Sequence, residues 1–173
     1  MAKLIGIAGK AGAGKDTAAQ YFVNHKGFGQ LAFAAPLKEA LIALGLPEPA
    51  NREDKEAKVP GFNFTWREAA QRLGTEWGRS LDPDIWVKMT MLKVERLWAV
   101  NWHVVISDVR FDNEAEAIRA AGGKILHIHG RAADIGTNSA HASESGVVYM
   151  SGDVAIDNSK DIEHLYTQLK AIT

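Results

Sequence analysis

The residues best suited to chemistry lie near the N-terminus, in the run Gly9-Lys10-Ala11-Gly12-Ala13-Gly14-Lys15-Asp16-Thr17. Their spacing is G-x-x-x-x-G-K, the pattern of a phosphate-binding loop. It stands where such a loop must stand, after the apolar run Leu4-Ile5-Gly6-Ile7-Ala8 and at the head of a predicted helix. Glycines let the backbone curl until successive N–H groups point at one anion. The helix N-terminus adds partial positive charge, and Lys15 adds a full charge able to reach the β- and γ-phosphates. The loop therefore predicts nucleotide binding through Ala11, Gly12, Ala13, Gly14, Lys15, Asp16 and Thr17, with Lys15 as a catalytic cation. Asp16 occupies the place where Ser or Thr usually holds magnesium, and Thr17 follows one place later. Both are candidate metal ligands.

A second candidate is Ser107-Asp108, at the end of a buried strand predicted over 103–107. In open parallel sheets ligands bind outside the carboxyl ends of the strands. A carboxylate there can hold magnesium, directly or through water. The competing role is a helix cap or a partner for Arg110. Cations recur at predicted strand ends and helix starts: Lys38, Arg67, Arg72, Arg79, Arg110 and Arg131. Singly each is a solvated surface charge. As a set they suit phosphoryl transfer between two polyanions, which needs several cations around the moving group. Arg131 opens a loose segment after a strand, the place for a lid arginine. Arg72 and Arg79 are seven apart and share a face if one helix runs through Gly74 and Gly78. His127 and His129 alternate on one strand, but no third ligand is apparent and neither is assigned a role. The tryptophans read as core, although Trp66 and Trp77 flank the same helix and could touch a base.

The elements that must position these groups alternate strand and helix, which predicts parallel strands joined by helical crossovers. Strands are expected at 4–8, about 30–34, 103–107, 124–129 and 154–156. Helices are expected from Lys15, from Pro36 to Leu44, from the capping box Thr65-Trp66-Arg67-Glu68 to about Trp77, from Asp82-Pro83 to about Val100, after Asp112 or Asn113, and over Ile162 to Ile172. The helix up to Val100 is apolar around most of its circumference, which predicts deep packing. Residues 47–64, with three prolines and a charged cluster, read as a long exposed loop. Residues 130–152 form a second loose segment.

Composition narrows the function classes. A chain of 173 residues suits one domain with a sizeable core. The formal net charge of −1 provides no field to attract nucleic acid or an anionic membrane, and the absence of cysteine removes disulfides and thiolate chemistry. No apolar run approaches the roughly 20 residues of a membrane span. The chain enters a strand directly, so no leader peptide is expected and a cytoplasmic location is.

The loop resembles the G-K-x-x-x-G-K-D-T variant of bacteriophage deoxynucleoside monophosphate kinases. Further segments are similar to that family in the same order: Phe33-Ala34-Ala35-Pro36-Leu37-Lys38, Gln71-Arg72-Leu73-Gly74-Thr75-Glu76-Trp77-Gly78-Arg79, Asp82-Pro83-Asp84-Ile85-Trp86, Ser107-Asp108-Val109-Arg110-Phe111-Asp112-Asn113-Glu114 and His141-Ala142-Ser143-Glu144. The resemblance implies a three-layer α/β P-loop kinase fold with a parallel sheet of about five strands. It implies a single domain over 1–173, with an acceptor-binding insertion at about 36–100 and a lid at about 131–146. It implies transfer of the γ-phosphoryl of ATP, with magnesium, to a deoxynucleoside 5′-monophosphate for DNA precursor synthesis. Catalysis then falls to Lys15, Arg110 and Arg131. Acceptor contacts fall to Lys38, Arg67, Arg72, Gly74, Thr75, Arg79, Asp108, Arg110 and Glu114. Metal contacts fall to Asp16, Thr17 and Asp108, and Asn158 is placed near the adenine. A homodimer is left open. Three alternatives stand beside this one: a P-loop kinase for another phosphorylated acceptor, of the phosphomevalonate type; a nucleotide switch, which the absence of an Asn-Lys-x-Asp motif opposes; and a nucleotide-binding module without turnover.

Overall fold

The computed structural model describes residues 2–130 and 146–172. Two compact units are present, one of residues 1–33 and 91–173, the other of residues 34–90.

The first unit is built on five parallel strands, β1 (Leu4–Ala8), β2 (Gly29–Leu31), β3 (Val104–Val109), β4 (Lys124–His129) and β5 (Val154–Asp157). Their order across the sheet is β2-β3-β1-β4-β5. Every residue of β1 is buried, as expected of a central strand covered on both faces. Alternation along β1 separates the two faces. Ile5 and Ile7 join Val105, Leu126, Ile128 and Ile156 in one core with α1 (Lys15–Lys26) and α8 (Ile162–Lys170), which contribute Ala18, Ala19, Phe22, Leu165 and Leu169. Gly6 faces the other way, toward α7 (Asp112–Ala120). A Cβ at Gly6 would lie 2.6 Å from Ile118 Cδ1 and 2.8 Å from Ile125 Cδ1. The bare α-carbon is what lets α7 pack so closely on the central strand. Helices on both faces complete the three-layer α/β arrangement.

The register brings the carboxyl ends of three strands together. Ala8 of β1 pairs with Val109 of β3 on one side and with His127 of β4 on the other. The glycine loop leaves β1 from the point between them. The strand β3 extends two residues beyond its expected end, so Asp108 and Val109 belong to the strand itself.

The second unit contains α2 (Ala35–Ala43), α3 (Arg52–Glu56), α4 (Trp66–Gln71), a π-helical stretch Arg72–Gly78, α5 (Arg79–Leu81) and the start of α6 (Ile85–Ala99). Leu37, Leu41, Val59, Trp66 and Trp86 form its core. Four expectations are corrected here. The loop expected over 47–64 holds α3, started by a capping box in which Asn51 accepts from the Asp54 N–H and the Asp54 carboxylate returns the bond. The helix starting at α6 begins at Ile85, not at Asp82, because the Asp82 side chain and carbonyl are taken up by the N–H groups of Asp84 and Ile85 in a preceding turn. α6 is not buried all round: Trp86, Val87, Thr90 and Val94 are buried, whereas Met89 and Leu92 are exposed.

The fourth correction concerns the helix expected from Thr65 to Trp77. Thr65 and Glu68 do form the capping box, but the helix turns π-helical at Arg72. The cause is Trp86. Its indole N–H donates to the Gly74 carbonyl at 2.8 Å, a carbonyl that also accepts the Arg79 N–H five residues on, so the indole shares it with a π-type bond. Gly74 and Gly78 make room. A Cβ at Gly74 would meet Leu37 Cδ1 at 2.6 Å, and one at Gly78 would meet Trp86 Cζ2 at 2.5 Å. A wider turn with i→i+5 bonding breaks the seven-residue equivalence of an α-helix, so Arg72 and Arg79 do not share a face in the expected way. Gly78→Ala should destabilise the protein by about 1–3 kcal/mol, because the methyl group displaces a buried indole ring. Urea denaturation of the two forms, followed by tryptophan fluorescence, measures the difference.

Candidate functional site

A cleft of about 350 Å³ opens in the first unit, where the glycine loop leaves the sheet. Gly9, Lys10, Ala11, Ala13 and Lys15 line it from the loop, Val109 and Arg110 from the end of β3 and the residue after it, His127 to Gly130 from the end of β4 and the residue after it, and Gly146 with Val147 from the segment before β5. Among the described residues, Lys10, Lys15 and Arg110 give this lining three permanent cations and no carboxylate. Its chemistry is that of a site for a polyanion.

The loop is held in shape by its own polar groups. Lys15 Nζ donates to the carbonyls of Gly9 at 2.7 Å and Lys10 at 2.9 Å, and the Ala13 N–H returns to the Lys10 carbonyl. Gly14, with φ 97°, is the left-handed residue that turns the loop into α1. A Cβ there would also run into the Asn158 side-chain amide. Gly9 is similarly constrained, since a Cβ would come to 2.7 Å from the Ile128 carbonyl. Asp16 and Thr17 are exposed in the first turn of α1, where a carboxylate complements the unpaired N–H groups.

Asp108 is half-buried, and its Oδ1 accepts the Phe33 N–H at 2.7 Å. Beside it, Ser107 Oγ accepts from Gln30, which in turn accepts from Gln20. Glu114 is buried, and one of its oxygens accepts the N–H groups of Arg110 at 2.8 Å and Phe111 at 3.1 Å. It fixes the turn that presents Arg110. Asn158 is only 5 % exposed. Its side-chain N–H group donates to the Ala13 carbonyl at 2.8 Å, and its backbone N–H donates to His129. This asparagine braces the phosphate loop against the end of β4.

The first unit thus brings the loop residues 11–17, Arg110, Glu114 and Asn158 around the same sheet edge, with Asp108 in the neighbouring strand. The remaining expected residues, Arg131 apart, lie in the second unit. Lys38 is exposed on α2, and Arg67 pairs with Glu56 at 2.5 Å on the surface. Arg72, Gly74 and Thr75 stand in the π-helical stretch, with Arg72 exposed and Gly74 buried. The Arg79 guanidinium donates to the Pro83 carbonyl at 3.1 Å. Trp66 is buried, whereas Trp77 is about half exposed. Arg131, the lid residues up to 145 and the motif at 141–144 lie outside the described residues.

The sequence reading missed the other wall of the cleft. His127 Nε2 lies 2.9 Å from Asp153 Oδ2, and Asp153 is clamped by Arg119 through two nitrogens, at 3.0 and 2.6 Å. The Met150 N–H adds a bond to the same carboxylate at 2.9 Å, and Arg119 also donates to the Val148 carbonyl. The cluster fastens residues 148–153 to β4 and α7. The alternation of His127 and His129 was visible, but nothing local in the sequence links Asp153 to a residue 34 positions away. Burial alone would raise the Asp153 carboxyl. The hydrogen bonds from Arg119, with those from Met150 and His127, outweigh burial and hold it at about 2.

Residues 53–169 match the sequence model of the deoxynucleotide monophosphate kinase family. That match starts beyond the glycine loop, so the two observations are independent. A protein of Acanthamoeba polyphaga mimivirus, whose name proposes a deoxynucleotide monophosphate kinase, is 35 % identical over 96 % of this chain and 93 % of its own. The deoxynucleotide monophosphate kinase of Escherichia phage RB69 is 31 % identical over 66 % of this chain and 48 % of its own. This chain therefore spans about half the length of that phage relative. Among solved structures, TT1252 from Thermus thermophilus superposes with a TM-score of 0.55 at 21 % identity, covering 99 % of this chain and 96 % of its own. A sugar kinase from Janibacter gives 0.51 at 16 % identity, covering 99 % and 94 %. At those identities the likeness is one of fold.

A carboxyl held low in the folded state stabilises above its unfolded value and loses that contribution as pH falls through the folded one. Asp153→Asn should therefore be less stable than the parent by about 2 kcal/mol or more at neutral pH, since the shift alone is worth that much and Arg119 loses its partner. The gap should close as pH falls from about 4 to about 2. Urea midpoints of both forms across that range measure it.

Proposed function

This chain belongs to the deoxynucleotide monophosphate kinase family, and from that membership we propose that it transfers the γ-phosphoryl group of ATP to a deoxynucleoside 5′-monophosphate, giving ADP and a deoxynucleoside diphosphate. The observation that carries the donor half is the cleft itself, a pre-curled glycine loop whose lining, among the described residues, has three cations and no carboxylate. The donor phosphates lie along residues 11–17. Lys15 leaves the loop carbonyls to meet the β- and γ-phosphates, and Arg110 faces the transferring group.

The residues present fit magnesium in a supporting role. Among the described residues no three His, Asp or Glu side chains gather into a cation cage. Asp16, Thr17 and Asp108 are the side chains that would hold the ion. When bound, it neutralises charge developing on the phosphates. The Phe33 N–H keeps one Asp108 oxygen occupied, which fixes the carboxylate's orientation.

The acceptor half is assigned to the unit 34–90, the counterpart of the expected insertion at 36–100. Lys38, Arg67, Arg72 and Arg79 supply positive charge for the monophosphate, and Gly74 and Thr75 supply backbone and hydroxyl groups. Glu114 acts through Arg110, whose N–H it accepts. Arg131 is assigned to close on the transferring group. Catalysis is then positioning and charge neutralisation, with no covalent intermediate.

An ADP-release assay over a panel of deoxynucleoside and ribonucleoside monophosphates tests the reading. Turnover should depend on a deoxynucleoside monophosphate and fail with the nucleosides. Turnover with none of the panel would overturn it. Lys15→Ala should lower kcat by about a hundredfold or more while leaving the fold intact by circular dichroism, since the lysine serves charge that develops in the transition state. Arg79→Ala should raise KM for the monophosphate roughly tenfold, the equivalent of one charge-assisted hydrogen bond, and leave KM for ATP nearly unchanged. Steady-state kinetics with each substrate varied in turn separates the two.

A further inference from the structure

His127 is buried and ionisable, and the roles above do not use it. We propose that His127 is a ligand of the donor phosphates: Asp153 fixes its ring through Nε2, and Nδ1–H is donated to a phosphoryl oxygen of the bound nucleotide, so that binding is accompanied by proton uptake at this ring. The inference rests on reading the cleft as a nucleoside triphosphate site.

Position comes first. His127 pairs in register with Ala8, the residue before Gly9, and it lines the cleft together with Lys10, Lys15 and Arg110. Orientation comes next. Asp153 is an ionised acceptor held by Arg119 and by the Met150 N–H, so the ring nitrogen facing it, Nε2, carries a hydrogen. The ring is further restrained by His129, parallel within 9° at 6.3 Å, and by Tyr149 at 5.0 Å. With Nε2 committed, Nδ1 is the nitrogen left for a ligand, and among the described residues it has no hydrogen-bond partner. A histidine braced at one nitrogen by a carboxylate is how proteins fix which atom faces a ligand.

Charge completes the case. Among the described residues, the ring meets Asp153, with Arg119 behind it on α7, and stacks near His129 and Tyr149, while Lys10, Lys15 and Arg110 line the same cleft. A triphosphate entering among these cations brings negative charge against the ring and favours its two-donor, protonated form. The same contact ties the nucleotide to residues 148–153, because Asp153 also holds the Met150 N–H and Arg119 holds the Val148 carbonyl.

The test follows the ring directly. The Cε1–H and ring-nitrogen resonances of His127 are tracked by NMR as a function of pH, with and without saturating ATP and magnesium. ATP should move the His127 titration midpoint upward by about half a unit or more. Calorimetry in two buffers of different ionisation enthalpy should show proton uptake on ATP binding. His127→Gln, which keeps a donor for Asp153 but cannot become a cation, should lose that uptake and weaken ATP binding about tenfold near pH 6.5. His127 resonances indifferent to ATP, while calorimetry shows that ATP still binds, would overturn this inference and leave the donor site standing. Failure of the parent to bind ATP would remove both. If the glutamine variant does not fold, the resonances of the parent decide the matter alone.

Discussion

A glycine loop binds an anion well only if it stays curled when no anion is present. Here the bond that secures this is internal: the Lys15 ammonium rests on the Gly9 and Lys10 carbonyls. The ammonium that caps these carbonyls keeps the loop curled, so less ordering entropy remains to be lost if an anion binds there. Much of the first unit serves this arrangement. β1 delivers the loop at its start, α1 receives it through Gly14, and Asn158, just after β5, holds the Ala13 carbonyl from below. A parallel sheet in the order β2-β3-β1-β4-β5 places the ends of β3 and β4 on either side of that delivery point.

Charge is distributed with the same logic. Among the described residues, the cations that line the cleft have no carboxylate beside them in its lining. Carboxylates near the sheet edge are bound to backbone N–H groups or to a buried partner: Asp108 to Phe33, Glu114 to Arg110 and Phe111, and Asp153 to Arg119. Fixed dipoles and pairs of this kind stabilise charge without reorganising when a ligand arrives.

Features encoded within a few residues were readable from the chain. β1, β4, α1 and α8 show their periodicity locally, and the capping box at Thr65 and Glu68 announces α4. The curled loop between β1 and α1 was legible because its backbone chemistry is contained in nine consecutive residues. The Asn51 and Asp54 box before α3 was equally local, but the prolines around it obscured the signal. What could not be read depends on distant partners. The π-helical turn needs Trp86 to meet Gly74, and the wall of the cleft needs Asp153 to meet Arg119 and His127. The exposure of Met89 and Leu92 escaped a rule that counts apolar residues around a helix without knowing how much of its circumference is covered.

The π-helical stretch has an evolutionary consequence. Such a turn is an α-helix carrying extra length within one turn, and deletion of a single residue can return it to α geometry. Each residue of an α-helix advances the chain by about 100°. A one-residue deletion between Arg72 and Gly78 would therefore re-aim everything after it, Arg79 first, without altering the identity of any side chain. The direction in which this part of the chain points is encoded by how many residues it contains. Length variation here, more than substitution, is the route by which descendants of this chain would acquire a different binding face.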